Sequence, residues 1–209
     1  MDDLRDSQTK LMEVAIDLFA SRGFRGTSIR DIAGAMGMSI SNIYHYYGSK
    51  EGLLLAILKH SAEQVANKLL EVSGLNMEPL DRFRLLIKTH ILMSKNHKKE
   101  VKIFFLDEEH LSPDGNEINK QFQRDIFNIY KKELHNLKAE GYVKYENLTT
   151  LALNVLGVVN WHLRWYRPEG PLPLEQITDE ILTFILHGVL GHPTSDTTTK
   201  EKDLEKVGL

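Results

Sequence analysis

Apolar residues recur at three- and four-residue spacings along most of the chain, and no stretch alternates apolar and polar positions between turn signals. That periodicity predicts helices and no sheet. Leu11, Val14, Ala15, Leu18 and Phe19 share one face of a helix that begins near residue 7 and stops at Gly23. Thr27 or Ser28 caps a second helix carrying Ile29, Ile32 and Ala33, which Gly37 ends. Ser39 caps a short third helix through Tyr46. Gly48 and Ser49 introduce a long fourth helix with Leu53, Leu54, Ile57 and Leu58 on its apolar face.

Six prolines, at 79, 113, 168, 171, 173 and 193, fall near predicted helix boundaries rather than inside helices. The pattern predicts helices near 80–95 and 98–110, then a long one over 114–140 that Ser112-Pro113 introduces and Gly141 closes. Asn147 caps a strongly apolar helix ending at Arg167-Pro168, and a last helix covers 174–190. The expected fold is all-α: an N-terminal three-helix, helix-turn-helix DNA-binding domain over 1–50, and a larger helical domain for effector binding and dimerisation over 51–191. Residues 192–209, rich in Ser, Thr, Lys and Glu, are expected to form a flexible tail.

Composition narrows the function classes. Apolar residues make up 42% of the 209 and charged residues 26%, the balance of a globular chain. With no cysteine, disulfides, thiolate metal sites and cysteine nucleophiles are excluded. The apolar run over 151–161 is interrupted by Asn154 and Asn160 and is too short to span a bilayer, so no membrane contact is expected. The acidic start, without the blocks of a signal peptide, predicts a cytoplasmic protein. The net charge is -3, yet over 21–60 five basic residues face only two acids.

That basic segment carries the clearest chemistry. Ile32, Ala33, Met38 and Ile43 can pack two helices across the Gly37-Met38-Ser39 turn and present the second helix outward. In a helix-turn-helix the second helix enters the major groove with its N-terminal residues at base edges. Those residues are Ser39, Ser41 and Asn42, then Tyr44 and His45; Asn suits adenine and Ser either kind of base edge. Thr27, Ser28, Tyr46 and Lys50 flank them at positions suited to phosphates. The uninterrupted run from Ile32 to Leu53, IAGAMGMSISNIYHYYGSKEGL, resembles the signature of the TetR family of bacterial regulators. Two departures stand out: members commonly have Gly where this chain has Ser41, and Ala where it has Met36. The resemblance implies that Thr27, Ser39, Ser41, Asn42, Tyr44, His45, Tyr46 and Lys50 face DNA.

One recognition helix reads too few base pairs, so the second domain is expected to supply a homodimer. Val155, Val159, Ile181, Ile185 and Val189 are the candidate interface positions, with Gly157 and Gly188 allowing close approach. The polar and aromatic cluster Trp161, His162, Arg164, Trp165, Tyr166 and Arg167 interrupts that apolar helix, and an interior Arg requires an acid or an anionic ligand. The segment NWHLRWYRPEG with Pro171-Leu172-Pro173 resembles TetR-type regulators of acyl-CoA and fatty-acid breakdown. A ligand pocket is expected among Phe83, Ile87, Ile91, Phe104, Phe105, Phe127, Tyr130, Trp161 and Arg164, with Lys88, Lys95, Lys98 and Lys99 as further cations.

The resemblance implies a repressor that a small-molecule effector releases from double-stranded operator DNA, with an acyl-CoA the candidate effector. The alternative is an efflux regulator responding to a hydrophobic, cationic compound, for which Asp107, Glu108 and Glu109 offer partners. Enzyme activity is not expected: Glu108, Glu109 and His110 are neighbours pointing in different directions, and no nucleophile elbow, phosphate loop, cofactor motif or metal-ligand spacing is present. A sequence-blind architectural DNA protein would need a broader basic surface.

Overall fold

The computed structural model describes residues 2–95, 99, 100, 103 and 110–191, the side chains of 2–6 excepted. Among these residues it holds eight helices and no strand: α1 (Asp2–Arg22), α2 (Ile29–Met36), α3 (Ile40–Tyr47), α4 (Lys50–Ser73), α5 (Pro79–Met93), α6 (Pro113–Ala139), α7 (Leu148–Trp165) and α8 (Leu174–Leu190). The expected helix near 98–110 and the expected tail over 192–209 lie outside the described residues almost entirely. No helix among the described residues is long and apolar enough to cross a membrane.

Local chemistry sets the helix ends. Ser28 and Asp31 form a reciprocal capping box at the start of α2, with the Asp31 N–H donating to the Ser28 hydroxyl and the Ser28 N–H to the Asp31 carboxylate. Ser39, Ser49, Ser112 and Asn147 cap α3, α4, α6 and α7 through side-chain oxygens. Gly37 ends α2 at φ 63°, a left-handed conformation that a residue with a Cβ adopts only with strain, and this turns the chain sharply into α3. α7 stops at Trp165, earlier than the expected Arg167.

Two apolar cores result, and α4 belongs to both. Leu11, Phe19, Ile32 and Ile43 pack with Leu53, Leu54, Ile57 and Leu58 from the first half of α4. Ala66, Leu69 and Val72 from its second half join Phe83, Leu86, Tyr130, Leu134 and Val155. The packing therefore divides within α4, beyond Leu58, rather than at its start near residue 50. Val155, Val159, Ile185 and Val189 are buried inside this single protomer and Ile181 is partly buried, so four of the five expected interface residues belong to the intrachain core.

One ion pair sits within the second core. Glu133 on α6 is fully buried; it accepts from Arg82 Nε on α5 at 2.8 Å and from the Ser73 hydroxyl on α4 at 2.6 Å. Removing one member of a buried pair strands the other charge in a low-dielectric interior, which costs more than the pair itself contributes. Arg82→Met is expected to lower stability by about 3 kcal/mol in urea denaturation. The exposed Lys68→Met should change it by less than about 0.5 kcal/mol, and equal effects of the two would contradict the assigned role of Glu133.

Candidate functional site

The face expected to meet DNA is built on α3. Ile43 is fully buried and anchors the helix, which turns Ser41, Asn42, Tyr44 and His45 outward; Tyr44 remains 49% exposed. Ser39 is exposed as well, with its hydroxyl accepting from the Asn42 N–H at 3.3 Å. Tyr46 is half-buried, its ring packed between those of His45 and Tyr47. Lys50 lies with its ammonium 4.1 Å from the centre of the Phe24 ring, a contact that holds the charge close to the start of α4.

Thr27 departs from its expected role. Its side chain is buried and its hydroxyl is spent on the carbonyls of Leu18 and Gly23, at 3.2 and 3.0 Å, so it ties α2 to the end of α1 instead of facing outward. Ser28 is exposed but its hydroxyl is engaged with Asp31. Those hydrogen bonds from Ser28, helped by the nearby Arg22 and Lys50, hold the Asp31 carboxyl below its ordinary range.

The first turn of α4 is also tied to the far domain. Glu51 Oε1 accepts from both the N–H and the hydroxyl of Ser112, each at 2.7 Å, at the start of α6. Gly115 makes this approach possible, since a Cβ there would overlap the same carboxylate oxygen. A second tie, between Lys99 and Asp17 at 2.6 Å, reaches α1.

A cavity of about 540 Å³ opens between α4, α5, α6 and α7. Leu58, Ala62, Val65, Ile126, Phe127, Leu153, Leu156 and Leu163 give it apolar walls, and Ser61, His90, Glu100, Lys120, Gln123, Arg124 and Asn160 add polar groups. Of the expected pocket residues that are described, only Phe127 is in the lining. Phe83, Ile87, Ile91 and Tyr130 are fully buried in the core behind it. Trp161 and Arg164 are exposed on the outer surface, so neither Arg164 nor the exposed Arg167 meets the desolvation that an interior Arg would. Phe104 and Phe105 lie outside the described residues, as do Lys98, Asp107, Glu108 and Glu109. The expected cations Lys88, Lys95 and Lys99 are paired with Asp179, Glu175 and Asp17. Lys120, itself paired with the exposed Glu117 at 2.6 Å, and Arg124 are the cations of the lining, and the signal for them is the stripe Lys120, Gln123, Arg124 and Phe127 at helical spacing beside the core stripe of the same helix.

On the other side of α7 an apolar groove runs between it and α8, lined by Gly157, Val158, Trp161, Trp165, Ile181 and Phe184. Trp161 and Phe184 are 63% and 67% exposed there, an unusual amount of bare aromatic surface.

Residues 11–57 match the family described as "Bacterial regulatory proteins, tetR family", and residues 76–189 match "Tetracyclin repressor-like, C-terminal domain". The HTH-type transcriptional repressor KstR2 of Mycobacterium tuberculosis is 26% identical over 186 residues, covering 86% of this chain and 91% of the relative. KstR2 of Rhodococcus jostii is 26% identical over 188 residues, covering 87% and 90%. Among solved structures, AibR in complex with isovaleryl coenzyme A and operator DNA gives a TM-score of 0.74 at 26% identity, covering 85% of this chain and 97% of that one. The fatty acid degradation regulator FadR from Bacillus halodurans gives 0.77 at 16% identity, covering 87% and 99%, and speaks for the fold alone.

His90 connects the cavity to the core. Its Nδ1 lies 2.9 Å from the buried Tyr130 hydroxyl, and burial, with His162 nearby, pushes its pKa down from 6.5 to about 4. Burial lowers His162 as well. A histidine kept neutral when folded binds protons more readily when unfolded, so its stabilising effect is complete above pH about 6.5 and is lost as pH falls toward 4. Between pH 7 and 4.5 the loss attributable to His90 is on the order of 2–3 kcal/mol. Urea midpoints for wild type and His90→Phe at both pH values should show the flatter dependence in the variant. Parallel dependences would contradict a neutral, buried His90.

Proposed function

The chain belongs to the TetR family of bacterial regulatory proteins, and from that premise we propose that it is a cytoplasmic, homodimeric repressor released from its operator by an acyl-CoA. The observation that carries the DNA-binding part is the outward face of α3, where Ser41, Asn42, Tyr44 and His45 stand exposed on a helix anchored by Ile43. The DNA-binding unit extends through the first half of α4, as its core does. Lys50 and the Ser39 cap lie where backbone phosphates would flank the reading helix.

Support for the effector class comes from the cavity. Its long apolar wall suits an acyl chain, and Lys120 and Arg124 on one face of α6 suit phosphate groups at its polar end. The structure of AibR was determined with isovaleryl coenzyme A and operator DNA. A cationic effector would have Glu100 as partner, and the two cations in the lining weigh against it. Binding acts through its preference for one arrangement of α6 against α4; a coupling of about 1–3 kcal/mol weakens operator affinity roughly 5–150-fold. α6 is pinned to α4 by Ser112 and Glu51 beside the DNA-binding unit, so a shift of α6 displaces the reading heads.

Assembly rests on the bare groove between α7 and α8. Two copies related by a twofold axis would bury Trp161, Trp165 and Phe184 against each other and set two reading helices roughly one DNA turn (about 34–36 Å) apart.

Three measurements test this reading. On an operator selected from random DNA, Asn42→Ala and Tyr44→Ala should each cost about 1–3 kcal/mol of binding with circular dichroism unchanged, whereas wild-type affinity in either would remove α3 from the interface. Light scattering should find dimers for wild type and monomers for Phe184→Glu, which also loses tight binding to the palindrome; a dimeric variant would move the interface elsewhere. Octanoyl-CoA titrated into the protein–operator complex should release the DNA, and Arg124→Ala should need about tenfold more. Release by cationic dyes and by no thioester would overturn the effector class.

A further inference from the structure

The effector cavity is lined mainly by carbon, yet two polar atoms in its wall lack a partner among the described residues. One is the Ser61 hydroxyl on α4, which is buried and makes no hydrogen bond. The other is Nε2 of His90 on α5, whose recorded hydrogen bond runs from its other ring nitrogen to Tyr130. A buried polar group left unpaired costs more than a hydrogen bond gains, so the Ser61 hydroxyl, the buried one of the two, marks a place in the apolar wall where something polar belongs.

Which hydrogen His90 offers follows from Tyr130. That phenol is fully buried, and burial raises its pKa well above the ordinary range, so it keeps its proton. Its O–H requires an acceptor, and His90 Nδ1 at 2.9 Å is the acceptor recorded for it among the described residues. A nitrogen that accepts carries no hydrogen. Burial keeps the ring neutral, so its single hydrogen sits on Nε2. Tyr130 thereby fixes a tautomer that donates at Nε2, in a cavity whose lining also includes Ser61 with its own donor.

We propose that His90, held as the Nε2–H tautomer by Tyr130, and Ser61 together read a neutral carbonyl oxygen on the effector. This rests on the effector reading above and deepens it. A carbonyl oxygen offers two lone pairs and no charge, which matches two neutral donors in an apolar wall. An ammonium has no lone pair to offer Nε2–H. A carboxylate finds its countercharges on Lys120 and Arg124, both exposed, and a thioether or alkyl chain leaves both donors unpaired. The carbonyl of a thioester therefore lies inward of the phosphates, and the acyl chain continues along Val65, Phe127 and Leu156.

The test combines a tautomer measurement with matched ligands. In protein labelled with ¹⁵N-histidine, the resonances missing from His90→Phe belong to His90, one of nine histidines. They should report a protonated Nε2 and an unprotonated Nδ1, a pattern that Tyr130→Phe should lose. By calorimetry, octanoyl-CoA should bind about tenfold tighter than S-octyl-CoA, the thioether lacking the carbonyl, and His90→Phe or Ser61→Ala should reduce that ratio at least threefold. Methyl octanoate against methyl nonyl ether repeats the comparison without coenzyme A. Equal binding within both pairs, a hydrogen on Nδ1 in wild type, or a ratio unchanged in His90→Phe and Ser61→Ala would overturn the proposal. Preference for the ester over the ether with no binding of either coenzyme A compound would sustain the carbonyl reading and remove the acyl-CoA class.

Discussion

A single helix, α4, has to satisfy two cores at once. Its first half supplies Leu53, Leu54, Ile57 and Leu58 to the DNA-binding unit, and its second half supplies Ala66, Leu69 and Val72 to the cavity-bearing domain. A packed core does not deform continuously, so a change at one end of this rod must be met by repacking or by rotation at the other. Ser61 and Ala62, which line the cavity, lie between the two halves. The Glu51–Ser112 hydrogen bonds close the loop by tying the start of α6 to the start of the rod. Cavity, rod and α3 are thus joined by ordinary helix packing and by the Glu51 carboxylate.

Polar groups placed inside the second domain divide it into dry and responsive parts. The Glu133–Arg82–Ser73 cluster joins α4, α5 and α6 on one side of the bundle, with every recorded contact short and the carboxylate fully buried. His90 and Tyr130 sit nearer the cavity, where one ring nitrogen is satisfied and the other is not. The first arrangement resists motion because breaking it strands a charge. The second invites a partner, because none of the described residues completes it.

The helices and their caps were legible in the sequence because capping chemistry is local: Ser28, Ser39, Ser49 and Asn147 each need only the next three residues to do their work. The same holds for the reading face, where Ile43 alternates with exposed neighbours within one short helix. Faces in the second domain were not separable that way. α7 carries apolar residues on three sides: Val155 and Val159 for the core, Leu156 and Leu163 for the cavity, Val158 and Trp161 for the groove. Periodicity says that such a helix is surrounded but does not say by what. Pairing of charges is likewise invisible along the chain: Lys88 and Lys95 look available until α8 brings Asp179 and Glu175 beside them. Thr27 was misread for a related reason, since its hydroxyl partners are the carbonyls of Gly23, in the turn after α1, and of Leu18 on α1, which only the fold brings within reach.

The central claim, that the cavity and the reading helix are coupled through α4 and its tie to α6, reduces to a thermodynamic cycle. Operator affinity is measured by fluorescence anisotropy with and without octanoyl-CoA, in wild type and in Glu51→Ala. The variant keeps the Ser112 cap on α6 and the Ser73–Glu133 contact between α4 and α6, and loses the two hydrogen bonds that Glu51 accepts from Ser112. Wild type should lose roughly 5–150-fold in affinity when the ligand binds. Glu51→Ala should bind octanoyl-CoA as wild type does yet lose no more than about fivefold. A variant released as fully as wild type, at the same ligand concentration, would contradict the claim.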